Sequence, residues 1–303
     1  MPSEQPDRLI VDWGTSNFRA FAVNDAGRVL NDIELELGLL KVENGAFAEA
    51  LQGSLHTWLG AHYQHLPVYM AGMVGSAKGW VNVQYVDTAA GCSELAQKAH
   101  CFQLPWGPEA RIMPGVRHKQ QSDIYDVMRG EEVQLLGLDE LCQSREFHAI
   151  LPGTHSKHAH IRGNKIQTFS SYLSGELFAV ISQHMLLGKG LELSELGQHN
   201  SAFFKGLDDG LATEQLSNCL FRTWTHRLFK QLDEKTAPDY LSGMLIGNEL
   251  KTAKAKHYYI VGSSKLSQRY QLACKHRGLD SDIINGNDCF LAGMQRLIKE
   301  SQS

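Results

Sequence analysis

At 303 residues the chain is longer than one hydrophobic core usually serves, so two domains are expected. Its 29 Lys and Arg against 33 Asp and Glu give a formal net charge of -4 with no basic stripe, which argues against nucleic acid as a partner. No apolar stretch approaches membrane-spanning length, the polar start Ser3-Glu4-Gln5-Pro6-Asp7-Arg8 is no signal peptide, and the six cysteines contain no CxxC pair; the expectation is a cytoplasmic protein with reduced thiols and no membrane partner.

Leu9-Ile10-Val11 reads as a strand that runs into Asp12-Trp13-Gly14-Thr15-Ser16-Asn17. A second strand, Phe18 to Val23, a polar turn, Asn24-Asp25-Ala26-Gly27, and a third strand candidate follow. Ala46 to Leu59 has apolar residues at helical spacing and stops near Gly60. Val68-Tyr69-Met70 is a buried strand opening onto the glycine-rich Ala71 to Trp80, a usual place for a ligand in an α/β fold. Leu95 to Cys101 is ambiguous, and Arg111-Ile112-Met113 is a short strand. Met128 to Leu141 reads as a helix carrying Arg129, Glu131 and Glu132 near its start. Asp139 to Phe147 is the least ordered stretch and reads as a hinge between lobes.

The second half opens with a strand, His148 to Leu151, then Pro152-Gly153-Thr154-His155-Ser156-Lys157, the strand His158 to Ile161, a polar turn, Arg162-Gly163-Asn164, and another strand. Helices are expected over Glu176 to Leu187, Leu211 to Phe229 and Tyr240 to Ala255, the last with Gly243 and Gly247 on one face. Tyr258 to Val261 is a buried strand ending in Gly262-Ser263-Ser264. A helix from Leu266 to His276 follows, and a final one, Asp288 to Lys299, places Gly293 where close packing is expected.

The chain thus contains one device twice, half its length apart: an apolar strand, a Gly-Thr turn with small polar neighbours, and two further strands. Glycine lets the backbone approach an oxyanion, and consecutive amides with hydroxyls form a phosphate-sized nest. Two such hairpins suggest two lobes gripping a polyphosphate. Asp12 follows a buried strand, where an unpaired carboxylate is costly, and a magnesium-bound water on a nucleotide would give it a partner. No G-x-x-x-x-G-K-[ST] loop occurs, and no G-x-G-x-x-G follows a strand, so neither of the usual glycine-loop nucleotide motifs applies. His158 and His160 share a strand face, but no cysteine or carboxylate stands nearby at ligand spacing, which disfavours a structural zinc. His155 lies within the turn and can donate to a phosphate.

Six ordered segments, from about residue 8 to 295, resemble the 2-dehydro-3-deoxygalactonokinase family. They are Asp12 to Asn17, Ala71 to Trp80, Asp126-Val127-Met128-Arg129-Gly130-Glu131-Glu132, Leu151 to Lys157, Tyr172-Leu173-Ser174-Gly175-Glu176-Leu177, and Leu241 to Gly247. One departure is His158, where the family usually has tryptophan. The resemblance implies an α/β fold of two ribonuclease H-like lobes around an ATP cleft, as in the sugar kinase, Hsp70 and actin superfamily. Residues 1–140 would form the first lobe and 146–287 the second, with a C-terminal helix at about 288–303 packing back on the first. It implies ATP- and Mg²⁺-dependent phosphorylation of the C6 hydroxyl of 2-dehydro-3-deoxy-D-galactonate. A same-fold kinase for another sugar, or an ATPase or exopolyphosphatase, is the alternative, and a homodimer is left open.

Under that resemblance, Gly14, Thr15 and Ser16 contact the terminal phosphates with Asp12 toward magnesium. Gly153, Thr154, His155 and Lys157 contact the triphosphate too, Lys157 neutralising charge between the β- and γ-phosphates. Gly262, Ser263 and Ser264 form the adenosine-side loop. The acceptor hydroxyl needs a general base, and Asp123, Asp126, Glu131 and Glu132 are candidates; the start of the first lobe's helix favours Asp126 or Glu131, with Glu131 preferred. Arg129 and Arg19 can pair the substrate carboxylate. Trp13 and Trp80 can close on its carbon chain, and the loop through Gly72, Met73, Gly75 and Ser76 offers amides to its hydroxyls. No residue pattern tells one keto-deoxy acid epimer from another.

Overall fold

The computed structural model describes residues 5–142, 144–262 and 264–302. The chain begins with three strands, β1 (Arg8–Trp13), β2 (Phe18–Val23) and β3 (Val29–Leu35), followed by helix α1 (Phe47–Leu59) and β4 (Val68–Ala71). Then come β5 (Val86–Asp87), α2 (Cys92–Gln97), β6 (His100–Gln103), β7 (Glu109–Ile112), β8 (Val116–Gln121), β9 (Ile124–Met128) and α3 (Glu131–Cys142). The second half repeats the opening with β10 (Glu146–Leu151), β11 (Ser156–Arg162), β12 (Lys165–Tyr172) and α4 (Ser174–His184). It continues with α5 (Asn200–Ala212), α6 (Leu216–Leu228), α7 (Ala237–Leu250), β13 (His257–Gly262), α8 (Ser264–His276), β14 (Asp280–Asn285) and α9 (Gly286–Glu300).

The two main sheets share one topology. The first runs β3-β2-β1-β4-β7-β6, with β1 antiparallel to β2 and parallel to β4. The second runs β12-β11-β10-β13-β14, with β10 parallel to β13 and β13 parallel to β14. In each, three successive neighbouring strands are extended from the first of them by parallel strands, the first sheet adding β6 antiparallel to β7 at its edge; this is the ribonuclease H-like order the resemblance implies. The repeat read from the two Gly-Thr turns is therefore a repeat of whole sheets. A small sheet, β5-β8-β9, is inserted in the first half.

Compact units by contact are Met1–Glu146 with Ile161–Phe169 and Asn287–Ser303, and Phe147–His160 with Ser170–Gly286. In the first, Leu9, Val11, Trp13 and Phe18 of the sheet pack with Leu51 and Leu55, the buried stripe of α1, in one core. The last helix packs tightly on α3: a Cβ at Gly137 would overlap the Cys289 carbonyl, and one at Gly293 the Val133 carbonyl. In the second, α5 and α7 meet through Gly206 and Gly210 on one helix and Gly243 and Gly247 on the other, each filling space a Cβ would take from an opposing carbonyl. Burial there covers nearly all of α7, so it has almost no polar face.

The structure adds β8, β9 and α5 where the sequence reading has no element, and it changes three readings. The helix expected over 211–229 is two helices, because Thr213 Oγ1 accepts from the Gln215 amide at 3.1 Å and this local turn breaks the run. The helix expected from Met128 begins at Glu131, since Gly130 has φ of +107° and Met128 still pairs with Val116 in β9. The stretch read as a hinge starts inside α3, where buried Asp139 accepts from Arg296 Nη1 at 2.8 Å. Among the described residues, no helix is long and apolar enough to cross a membrane.

Candidate active site

In the first unit, the carboxyl end of β1, the loop after β4 and the start of α3 converge. Asp12 lies beside Ala71 in the parallel β1–β4 register and opposite Arg19 on β2. Arg19 Nη2 pairs with Asp12 Oδ2, and its Nη1 donates to Asn287 at the start of α9. A Cβ at Gly72 would stand 2.8 Å from the Trp13 carbonyl and 3.2 Å from Asp12 Oδ1, and Gly72 has φ of +98°, so only glycine lets this loop lie so close to Asp12. Gly130 in turn stands against Gly72.

Two carboxylates open α3. Glu131 accepts the Arg129 amide at 3.0 Å, and buried Glu132 accepts the Gly130 amide on both oxygens, at 2.9 and 2.8 Å. These bonds satisfy amides at the helix entrance, and the helix dipole favours negative charge there. Burial pushes the Glu132 carboxyl up to about 8, with the charge of Glu131 adding to the rise. Burial also raises the Asp12 carboxyl; the charge and hydrogen bond of Arg19 oppose this, and the charges of Glu131 and Glu34 add to it. Asp12, Glu131 and Glu132 are thus one electrostatic cluster.

Asp126 and Asp123 are placed elsewhere. Asp126 lies on β9 opposite His118, and Gln120 Nε2 donates to it; Asp123 is exposed in the β8–β9 turn. Neither stands at the helix start, because Asp123 and Asp126 belong to the β8–β9 hairpin and a bend at Arg129 and Gly130 separates it from α3.

Arg129 is buried, with Nη2 donating to the Val83 carbonyl at 2.7 Å and its guanidinium 4.4 Å from the Tyr85 ring centroid. Among the described residues its buried Nε and Nη1 meet no hydrogen-bond partner, and neither does buried Ser76 Oγ. A Cβ at Gly75 would come within 2.9 Å of Arg129 Nη1, so this cation points at the loop between Gly72 and Gly79. That loop is a compact turn tied by Gly75 N to Gly72 O, Ser76 N to Met73 O and Trp80 N to Val74 O at 3.2, 2.9 and 2.8 Å. Met73 and Trp80 are partly buried against the core, with Trp80 edge-on to Phe102 at 5.1 Å.

Trp13, expected against the carbon chain of a substrate, lies in the core instead. It is completely buried, meets Phe18 and Phe47 edge-on, and donates Nε1 to the Leu37 carbonyl at 2.8 Å. Its aromatic face and polar tip are both used within the core, so it presents no wall to a substrate. Arg19, expected at a substrate carboxylate, is instead engaged by Asp12 and Asn287.

The first Gly-Thr turn is held from its outer side. Gly38 N donates to Ser16 O, Leu39 N to Gly14 O and Leu40 N to Thr15 O, at 3.0, 3.0 and 3.4 Å. With the carbonyls so held, the Thr15 and Ser16 amides have no backbone acceptor among the described residues. A Cβ at Gly38 would overlap Thr15 and Ser16. The second turn repeats this: Glu176 N donates to Thr154 O at 2.9 Å, and a Cβ at Gly175 would overlap the Gly153 carbonyl. Each turn is thus backed by a glycine that follows the third strand of its meander. Gly38 carries no motif of its own, since only the fold brings it behind the turn at Thr15 and Ser16, and Asn287 and Tyr85 carry no local signal.

Around the second turn, exposed His155 pairs with Glu176 at 2.7 Å, and buried Lys157 donates Nζ to the His155 carbonyl at 3.0 Å. Gly262 ends β13 with Pro152 Cδ 3.8 Å from its Cβ position; Ser264 opens α8, and Ser263 lies outside the described residues. His158 and His160 belong to no metal cluster: among the described residues no three His, Cys, Asp or Glu side chains are grouped to hold an ion.

The 2-keto-3-deoxy-galactonokinase family model matches residues 12–297. The 2-dehydro-3-deoxygalactonokinase of Escherichia coli K12 is 30% identical over 296 residues, covering 95% of this chain and 96% of that protein. A solved structure of a candidate 2-dehydro-3-deoxygalactonokinase from Sinorhizobium meliloti superposes with a TM-score of 0.87 at 28% identity, covering 96% of this chain and 98% of that one. A candidate N-acetylglucosamine kinase from Porphyromonas gingivalis, 14% identical, shares the fold at a TM-score of 0.50 over 94% of this chain and 98% of its own. The fold is that of the sugar kinase, Hsp70 and actin superfamily, and the chain belongs to the 2-keto-3-deoxy-galactonokinase family of phosphotransferases.

Proposed function

We propose that the protein transfers the γ-phosphoryl group of ATP to the C6 hydroxyl of 2-dehydro-3-deoxy-D-galactonate. The observation that carries the acidic substrate is Arg129. A guanidinium withdrawn from water against the loop at Gly75, with Nε and Nη1 unpaired among the described residues, is a costly arrangement that an anion relieves. A carboxylate next to a ketone is planar and matches the fork of an arginine. A neutral hexose leaves those donors unanswered, which disfavours the same fold acting on an ordinary sugar.

Glu131 is the general base. It stands at the start of α3, in electrostatic reach of Asp12, and takes the C6 hydroxyl proton as the oxygen attacks phosphorus. Glu132 is the poorer candidate, because its carboxyl holds a proton up to about pH 8 and both its oxygens face the Gly130 amide. The amides of the turns at Gly14 and Gly153 bind the nucleotide phosphates, with Lys157 adding charge. Arg19 takes Asp12 Oδ2, and among the described residues no donor meets Oδ1, so one hard oxygen would be left for the hydration shell of a magnesium ion. A bound magnesium ion would supply charge neutralisation on the phosphates. Cytoplasmic ATP and six free thiols suit a reducing compartment.

The test is Arg129→Met, assayed with both substrates varied. Losing hydrogen bonds to a charged group, about 1.5–3 kcal/mol, should raise KM for the keto acid roughly 10- to 150-fold. KM for ATP should hold. An unchanged keto-acid KM removes the carboxylate clamp and returns neutral sugars to consideration.

A further inference from the structure

One buried carboxylate in the second unit is used by nothing in the reaction described above. Glu249, on α7, is 2% exposed. Its Oε1 accepts from Ser156 Oγ at 2.6 Å and His158 Nε2 at 2.7 Å, and its Oε2 from Ser174 Oγ at 2.5 Å and Tyr270 OH at 2.8 Å. Four side chains from three different elements thus end on a single group.

Those elements are the ones that frame the second Gly-Thr turn. Ser156 is the residue where the turn enters β11. Ser174 immediately precedes Gly175 and Glu176, which back the turn through the Gly153 and Thr154 carbonyls. Tyr270 is on α8, the helix that opens just after Gly262. Glu249 itself is two residues past Gly247, on a helix locked to α5 by four close glycine contacts, and so stands on a rigid platform. Burial alone would raise its carboxyl, but the hydrogen bond and charge of His158, with Ser156 and Ser174, more than offset this and hold it below the ordinary range. An ionised carboxylate accepts two hydrogen bonds on each oxygen, and all four are present.

We infer that Glu249 is the positioning residue of the second phosphate turn, with His158 as its partner: it fixes the turn's exit strand and its backing glycine to one point, so that the Gly153–His155 backbone is pre-formed for nucleotide phosphate. The inference rests on the proposed role of that turn in ATP binding and adds the group that sets its shape. Glu249 touches no reacting atom; it acts through Ser156 and Ser174.

The experiment compares full-length wild type with Glu249→Gln, His158→Leu, His158→Gln and Ser174→Ala, each checked for folding by circular dichroism. ATP affinity is measured by calorimetry, and both KM values by coupled assay. Glu249→Gln and His158→Leu should weaken ATP binding and raise KM for ATP about tenfold, as expected for loss of a charge-assisted hydrogen bond, with KM for the keto acid within about twofold of wild type. His158→Gln places an amide donor where imidazole Nε2 was and should restore most of the ATP affinity. Ser174→Ala removes a single donor and gives a smaller effect of the same kind if Glu249→Gln does not fold. Unchanged ATP affinity in folded Glu249→Gln, or a parallel rise in both KM values, overturns the assignment. A wild type that binds no ATP would instead overturn the kinase reading.

Discussion

Glu132→Gln isolates the electrostatics of the α3 entrance. In the folded protein the Glu132 carboxyl keeps its proton up to about pH 8, whereas in the unfolded chain it loses it near 4.5. Between those values the folded state binds the extra proton, so unfolding releases it and stability falls as pH rises. The slope is about 1.4 kcal/mol per pH unit, or on the order of 5 kcal/mol across the whole window. Below pH 4.5 the group is protonated in both states and contributes no slope. Gln is nearly isosteric with the protonated acid and keeps an acceptor for the Gly130 amide. The variant should therefore match wild type near pH 4.5 and become progressively more stable than wild type toward pH 8. Urea melts of both proteins at pH 5 and pH 8 measure this, preferably with the slope m unchanged. An offset that is equal at both pH values, or a wild type that gains on the variant as pH rises, would refute the reasoning.

Other outcomes follow from the same geometry. Glu131→Gln should cut kcat by about 10²–10⁴-fold with KM for the keto acid little changed, because proton removal matters at the transition state; steady-state kinetics check it. Asp12→Asn removes the charge that pairs Arg19 and should lower turnover and weaken magnesium dependence in a titration of the metal. Gly38→Ala and Gly175→Ala should each weaken ATP binding measured by calorimetry while the chain stays folded. An added methyl overlaps the turn backbone and forces it to move, at a cost of about 1–3 kcal/mol.

Much of the fold is legible in the sequence because hydrophobic period and glycine placement agree locally. The strands around both Gly-Thr turns, the helix at Ala46 to Leu59, the shared face of Gly243 and Gly247 and the close packing at Gly293 are of this kind. What was not legible depends on contacts between distant residues. Trp13 sits in a motif that suggests a site, yet Leu37, Phe18 and Phe47 use all of it in the core. Asp126 is expected near the start of the first lobe's helix, but the pairing of β9 with β8 keeps it in a strand. The break at Thr213 is a side-chain turn inside an otherwise continuous apolar pattern. Arg129 and Glu131 could be named from sequence, but the unpaired state of the first and the coupling of the second to Asp12 could not. Glu249 carried no signal, since its four donors lie between 21 and 93 residues away along the chain.

The most direct measurement is ADP release by the purified protein with ATP and Mg²⁺, with and without 2-dehydro-3-deoxy-D-galactonate, and phosphorus NMR of the product. The account predicts release that depends on the keto acid, is slow with neutral hexoses, and yields a phosphate ester at C6. Release at the same rate without any acceptor, or a hexose turned over as well as the acid, would contradict it.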